Sequence, residues 1–159
     1  MKISKKATLV YALLCNIPVS FFLCLAANLV AHEGKVDWLD FAFNYSISLP
    51  IAMLISIFIP LVTIGRKFTK SLGVDNVTFT HNFSYRLIAT FVYACIFFII
   101  LNPTLTLINS MMYHSWKPFA EFLFMWMRGI PLMIIVGYVS SLIFDIPAYK
   151  VAHKIDPNF

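Results

Sequence analysis

Charge along this chain is confined to short stretches, and between them lie long runs without any. Ala7 to Ala31 covers 25 positions between Lys6 and His32, Phe41 to Gly65 another 25 between Asp40 and Arg66, and Leu87 to Tyr113 27 between Arg86 and His114. A fourth run, from about Phe119 to Phe144, is interrupted only by Glu121 and Arg128. A hydrocarbon core of ~30 Å takes about 20 helical residues, so each run can cross a bilayer once with some tilt. Lipid offers backbone groups no hydrogen bonds, and runs this long and continuous do not suit barrel strands. The pattern predicts an all-α integral membrane protein with spans at about 7–31, 41–65, 87–113 and 119–144. The first run exceeds the 7–15 residues of a cleavable h-region, roughly speaking, and no small-x-small site follows it, so it is expected to stay as a span. The connecting loops leave no room for a second domain.

A finer periodicity lies inside the spans. Ala12, Asn16, Ser20, Cys24 and Asn28 recur every four residues in the first, and Asp40, Asn44, Ser48, Ala52 and Ser56 in the second. Residues four apart stack on one helix face. Such small, polar stripes serve either as helix–helix seams, where backbones approach and amides bond across, or as the lining of a polar pathway. Gly129, Gly137 and Ser141 repeat the small stripe in the fourth span, and Asn102, Thr106 and Asn109 mark the third.

Composition sharpens the class. The 159 residues are 60% hydrophobic and 12% charged, with a mean hydropathy of +0.83, where a soluble domain has about 45–50% and 25%. This excludes a soluble enzyme, a nucleic-acid binder and a disordered tail. The net charge of +5 reads as topology rather than as affinity for nucleic acid. Lys2, Lys5, Lys6, Arg66, Lys67, Lys70, Arg86, Lys150 and Lys154 fall on one side of the four spans, and the acidic loop from His32 to Asp40 on the other. By the positive-inside rule both termini are expected in the cytoplasm.

Sliding the chain against itself by 81 residues places Lys5 on Arg86, Asn28 on Asn109, Asp40 on Glu121, Tyr45 on Trp126 and Pro50 on Pro131 without a gap. Two fused helical hairpins, residues 1–80 and 81–159, are therefore expected. Because each crosses twice, they point the same way and form a four-helix bundle of parallel repeats about an axis along the membrane normal. The first hairpin carries Asn28, Trp38, Ser-Leu-Pro-Ile-Ala at 48–52, Ile-Pro-Leu-Val at 59–62 and then Arg66-Lys67. This resembles the short two-span bacterial membrane proteins of domain-of-unknown-function family twenty-seven ninety-eight, and both halves share the likeness as a tandem fusion. In the second half Ser141 stands for Pro60, Pro147 for Arg66 and Arg128 for Ile47. The resemblance implies a fold unit and a bacterial inner membrane, and no activity.

Arg128, nine residues or so into the fourth span, is the strongest single polar signal, since a charge near the bilayer centre costs at least ~2.5–3.5 kcal/mol. It is expected to face the bundle interior and pair with Glu121 or Asp40, helped by Asn28 or Asn109. Three roles stay open for this group: a structural ion pair, an anionic-substrate or ion-coupling site, or contact with a partner subunit. Pro18, Pro50, Pro60, Pro103 and Pro131 lie within spans as kinks, with the matched Pro50 and Pro131 as candidate hinges. His32 and His114 face outward, where imidazoles can sense pH. Asn76-Val-Thr is a glycosylation sequon on the cytoplasmic side and so carries no meaning. Cys15, Cys24 and Cys95 sit inside spans without ligand spacing and read as packing residues. No motif for catalysis, metal binding or a cofactor is present, so the chain is not expected to be an enzyme. The partners are the lipid bilayer and either copies of itself or a larger membrane protein, with no small-molecule substrate identifiable. Two functions fit: a small oligomeric transporter or permeation unit built on the polar seam, or a non-catalytic accessory, assembly or sensing subunit of a larger complex.

Overall fold

The computed structural model describes residues 4–59, 61–73, 83–112 and 118–157. Pro60, the Asn76 sequon, His81, His114 and Trp116 lie outside the described residues, as do the side chains of Arg66 and Asn109. Five helices follow one another: α1 Lys5–Ala31, α2 Trp38–Phe58, α3 Leu61–Ser71, α4 Phe83–Met112 and α5 Phe119–Ile155. All but α3 are long and apolar enough to cross a membrane. The protein is thus an all-α four-helix membrane bundle with one short additional helix.

The α1–α2 turn is built by local chemistry. The Gly34 N–H donates to the Leu29 carbonyl at 2.8 Å, with Glu33 and Gly34 at φ 53° and 88°, a left-handed exit suited to glycine at the second position. Asp37 then caps α2, its carboxylate accepting from the Leu39 and Asp40 N–H groups, which satisfies two of the donors a helix start leaves open. Asn28 straps the turn to α1, donating to the Asp37 carbonyl and accepting from the Asp37 N–H.

The second span stops at Phe58 rather than running to residue 65. Ile59 is extended, at φ −106° and ψ 118°, the geometry forced on a residue that precedes proline, here Pro60. The chain then restarts as α3, which packs on α4 at Gly65, with Thr69 buried and bonded to the Gly65 carbonyl. A Cβ at Gly65 would stand 2.8 Å from the Ala89 carbonyl oxygen. Ile64 and Phe68 flank that contact on one side and Lys67 and Lys70 on the other, all exposed. Apolar and basic flanks of this kind suit a helix lying in the membrane interface.

Around the bundle α1 sits between α2 and α5, α5 packs on α4, and α2 and α4 meet only lightly. Val19 and Leu23 of α1, Ala52 and Ile55 of α2, and Ala94, Phe97, Phe98 and Leu101 of α4 form the core. Close approach depends on small residues. Ala7 lies against Ala152, and the Phe98 ring fills the space a side chain would take at Gly137. Dispersion contact of this sort, rather than removal of water, drives helix association in lipid.

Pairing α1 with α5 also fixes depth. Counting 24 residues from the Ala7–Ala152 contact takes α1 to Ala31, its last residue, and α5 to Arg128. Arg128 therefore stands level with the end of α1 and not at its middle. The helix of the fourth span is longer than the sequence run suggested, 37 residues or about 55 Å, because it continues past Phe144 to Ile155, and by the same count its first residues, Phe119–Met127, overhang the α1–α2 turn.

Candidate functional site

The two polar stripes face each other inside the bundle. Ala12, Asn16, Ser20, Cys24 and Asn28 of α1 and Ser48 and Ala52 of α2 are all buried. Their lower halves are in contact: Asn16 Nδ2 donates to Ser56 Oγ at 2.8 Å and to the Ala52 carbonyl at 3.3 Å, and Tyr93 of α4 donates its hydroxyl to Asn16 Oδ1 at 3.4 Å. Their upper halves stay joined through Asn28 and Asp40, and the space opens beside them toward α4. Between α1, α2, α4 and α5 lies a cavity of about 300 Å³, whose polar lining comes from Asn28, Asp40, Asn44, Ser48, Asn102 and Thr106. Phe98, Leu101, Leu105 and Met133 supply apolar wall, and the weak α2–α4 contact is the reason space remains there.

Asp40, in the first turn of α2, is the charged group of this cavity. Its Oδ2 accepts from Asn28 Nδ2 at 2.9 Å, its Oδ1 from Asn44 Nδ2 at 2.9 Å, and His32 Nε2 lies 3.3 Å from Oδ2. Asn28 is thus shared between the turn and the carboxylate. Across the cavity Asn102 donates to the Trp126 carbonyl of α5 at 3.2 Å. Below the space, the buried Ser20 hydroxyl has no hydrogen-bond partner among the described residues. Ser48 Oγ likewise lacks a nitrogen or oxygen partner there, with the Cys24 thiol as its neighbour.

At the other end of the bundle sits a second cluster. Asp145 of α5, 2% exposed, accepts from the Tyr11 hydroxyl of α1 and lies 3.6 Å from Arg86 Nε of α4. Arg86 also donates to the Leu142 carbonyl. Three helices are tied there at one acid. Burying a carboxylate away from water is tolerable only when it is paired and hydrogen-bonded.

Of the residues singled out from the sequence, Asp40 and Asn28 are brought together, joined by Asn44. Arg128 is not brought to them. It is exposed on the outside of the bundle, as is Glu121, and neither forms an ion pair among the described residues. The expected pairing fails because α5 runs past the end of α1, so the Arg128 side chain is not forced inward by hydrocarbon depth. The Asn109 backbone is helical, and its side chain lies outside the description. Pro50 and Pro131 are exposed, and α2 and α5 run continuously through them. Cys15 and Cys24 are buried and Cys95 half-buried, all as free thiols. Among the described residues no three His, Cys, Asp or Glu side chains converge as a metal site would need. The Arg86–Asp145 pair was not evident from the sequence because Arg86 counts among the flanking positive charges and Asp145 is the first charge past the fourth run. Two opposite charges at the same end of two neighbouring spans were the signal. No family model, curated protein or solved structure matches the chain.

Proposed function

We propose that the protein is a small membrane transport or permeation unit, working as a homo-oligomer, which admits a small solute into the cavity between the α1–α2 turn and the bundle centre. The cavity itself carries this reading: about 300 Å³ of space within a membrane bundle, lined by six polar side chains, where a purely structural bundle gains from closing it. Beneath it the Ser48 and Ser20 hydroxyls and the Asn16–Ser56–Tyr93 group lead toward the Tyr11–Asp145–Arg86 cluster, a succession of polar groups from one end of the bundle to the other. The exposed Lys5, Lys6, Lys67, Lys70, Lys150 and Lys154 flank the end holding both termini. We therefore assign that end to the cytoplasm of a bacterial inner membrane and the cavity to the outer side. The frame is a duplicated hairpin, α1–α2 and α4–α5, of the two-span type the sequence resembles, and its work is non-catalytic.

The test is the full chain reconstituted alone in liposomes. Swelling with small polar solutes should exceed that of protein-free vesicles and fall when Ser20→Leu or Ser48→Leu fills the path. Absence of solute-dependent swelling, together with purification in mild detergent beside one stoichiometric partner, would overturn it. That second outcome belongs to an accessory-subunit reading, which one observation favours: the exposed Arg128 on the outer surface of α5, beside the exposed Phe124 and Met127.

A further inference from the structure

We infer that the ligand taken into the cavity is a small monovalent organic cation, an amine or quaternary ammonium with an apolar body, held by Asp40. The inference rests on the reading of this cavity as a solute site and names the chemistry of what enters it.

Three features select a cation. Asp40 is the ionisable group with a full charge among the cavity's lining residues, and none of those residues is Lys, Arg or His. A carboxylate offers about four acceptor positions. Asn28, Asn44 and His32 occupy three of them, which leaves room for one further donor or a close positive charge. The donors in place are amides and one imidazole at 3.3 Å, and an amide orients a carboxylate without cancelling its charge. A single negative charge at the mouth of a cleft, its side chain 27% exposed, draws cations and repels anions, and the cleft walls focus its field.

The rest of the cavity describes the body of the ligand. Phe98, Leu101, Leu105 and Met133 offer apolar wall. Ser48 lies eight residues along α2 from Asp40, about 12 Å at 1.5 Å per residue. It presents a buried hydroxyl to the lower end of the space, where a polar group remote from the cationic head can bond. A bare inorganic cation does not fit so well: it asks for a shell of oxygens on all sides, and here most of one side is hydrocarbon.

Cys24 lines the same cavity and supplies a native probe. In the full chain carrying Cys15→Ala and Cys95→Ala, Cys24 is treated with cationic, neutral and anionic thiosulfonate reagents of similar size. Each rate is normalised to that of a free thiol in solution. The cationic reagent should react about tenfold or more faster than the anionic one, tetraethylammonium should protect Cys24, and Asp40→Asn should bring the ratio near unity while Asp40→Glu retains it. The unsubstituted Asp40 protein already decides the matter should Asp40→Asn fail to fold. Modification by the neutral reagent with equal cationic and anionic rates overturns the cation assignment and leaves the solute cavity standing. Modification by none of the three overturns the accessible cavity as well.

Discussion

The half of the bundle near the chain termini and the half near the α1–α2 turn are made from the same helices and solve the burial of polar groups in opposite ways. Toward the termini the helices close up over Ala7, Ala148 and Ala152, all buried, and the charges of Arg86 and Asp145 are brought into contact. Toward the turn Asp40 is held by two amides and the His32 imidazole instead of a guanidinium, and α2 and α4 stand apart beside it. In the first half polarity joins α1, α4 and α5. In the second it joins α1 to α2 and leaves the α2–α4 side open. Direct charge neutralisation favours closing a seam, whereas hydrogen bonds from amides orient a carboxylate and leave its charge in place.

The sharpest way to break this comparison is to remove one partner from the closed half. Asp145→Ala or Arg86→Ala strands a buried charge and should lower stability by about 3–5 kcal/mol, read as a large drop in the melting temperature of the detergent-solubilised chain. The double variant Arg86→Met with Asp145→Leu should be more stable than either single change. If it is not, the pair is doing more than holding the helices.

A steric change comes next. An added Cβ at Gly137 would lie 2.0 Å from Phe98 ring atoms, and Phe98 is fully buried. Gly137→Ala should therefore cost about 1–3 kcal/mol, and Phe98→Leu in the same chain should recover part of that loss in a thermal melt.

In the open half Asn28→Ala removes its bonds to Asp37 and Asp40. A loss of roughly 1–2 kcal/mol follows, together with faster modification of Cys24 as the turn loosens. The smallest effect is expected at Arg128. Arg128→Leu removes an exposed group without an ion pair among the described residues and should change the stability of the isolated chain by less than about 0.5 kcal/mol. A much larger loss would point to a contact made in an assembly.

The spans and the inward-facing stripes were legible in the sequence because both rest on periodicity and on the absence of charge, which lipid enforces along each helix separately. The end of α2 was less so: the uncharged run continues to Gly65, but backbone sterics ahead of Pro60 stop the helix sooner. The depth of Arg128 was not legible at all, since it depends on how α5 slides against α1, a relation between helices set by Ala7 and Ala152. Arg86 with Asp145 belongs to the same class, two residues 59 positions apart whose meeting only packing decides. Asp40 and Asn28 meet because the turn between them is short, whereas Arg128 joins that group in the sequence by depth alone.

The overhang of α5 gives the cavity mouth an uneven rim. On the α1–α2 side the bundle ends within a turn of Asp40, while α5 rises some nine residues higher, roughly 13 Å. A molecule drifting in from that bank meets a wall, and one arriving over the low bank meets the carboxylate almost at once. On the solute-site reading proposed above, entry would be funnelled from one direction, and anything bound to the tall bank would narrow the approach without touching Asp40 itself.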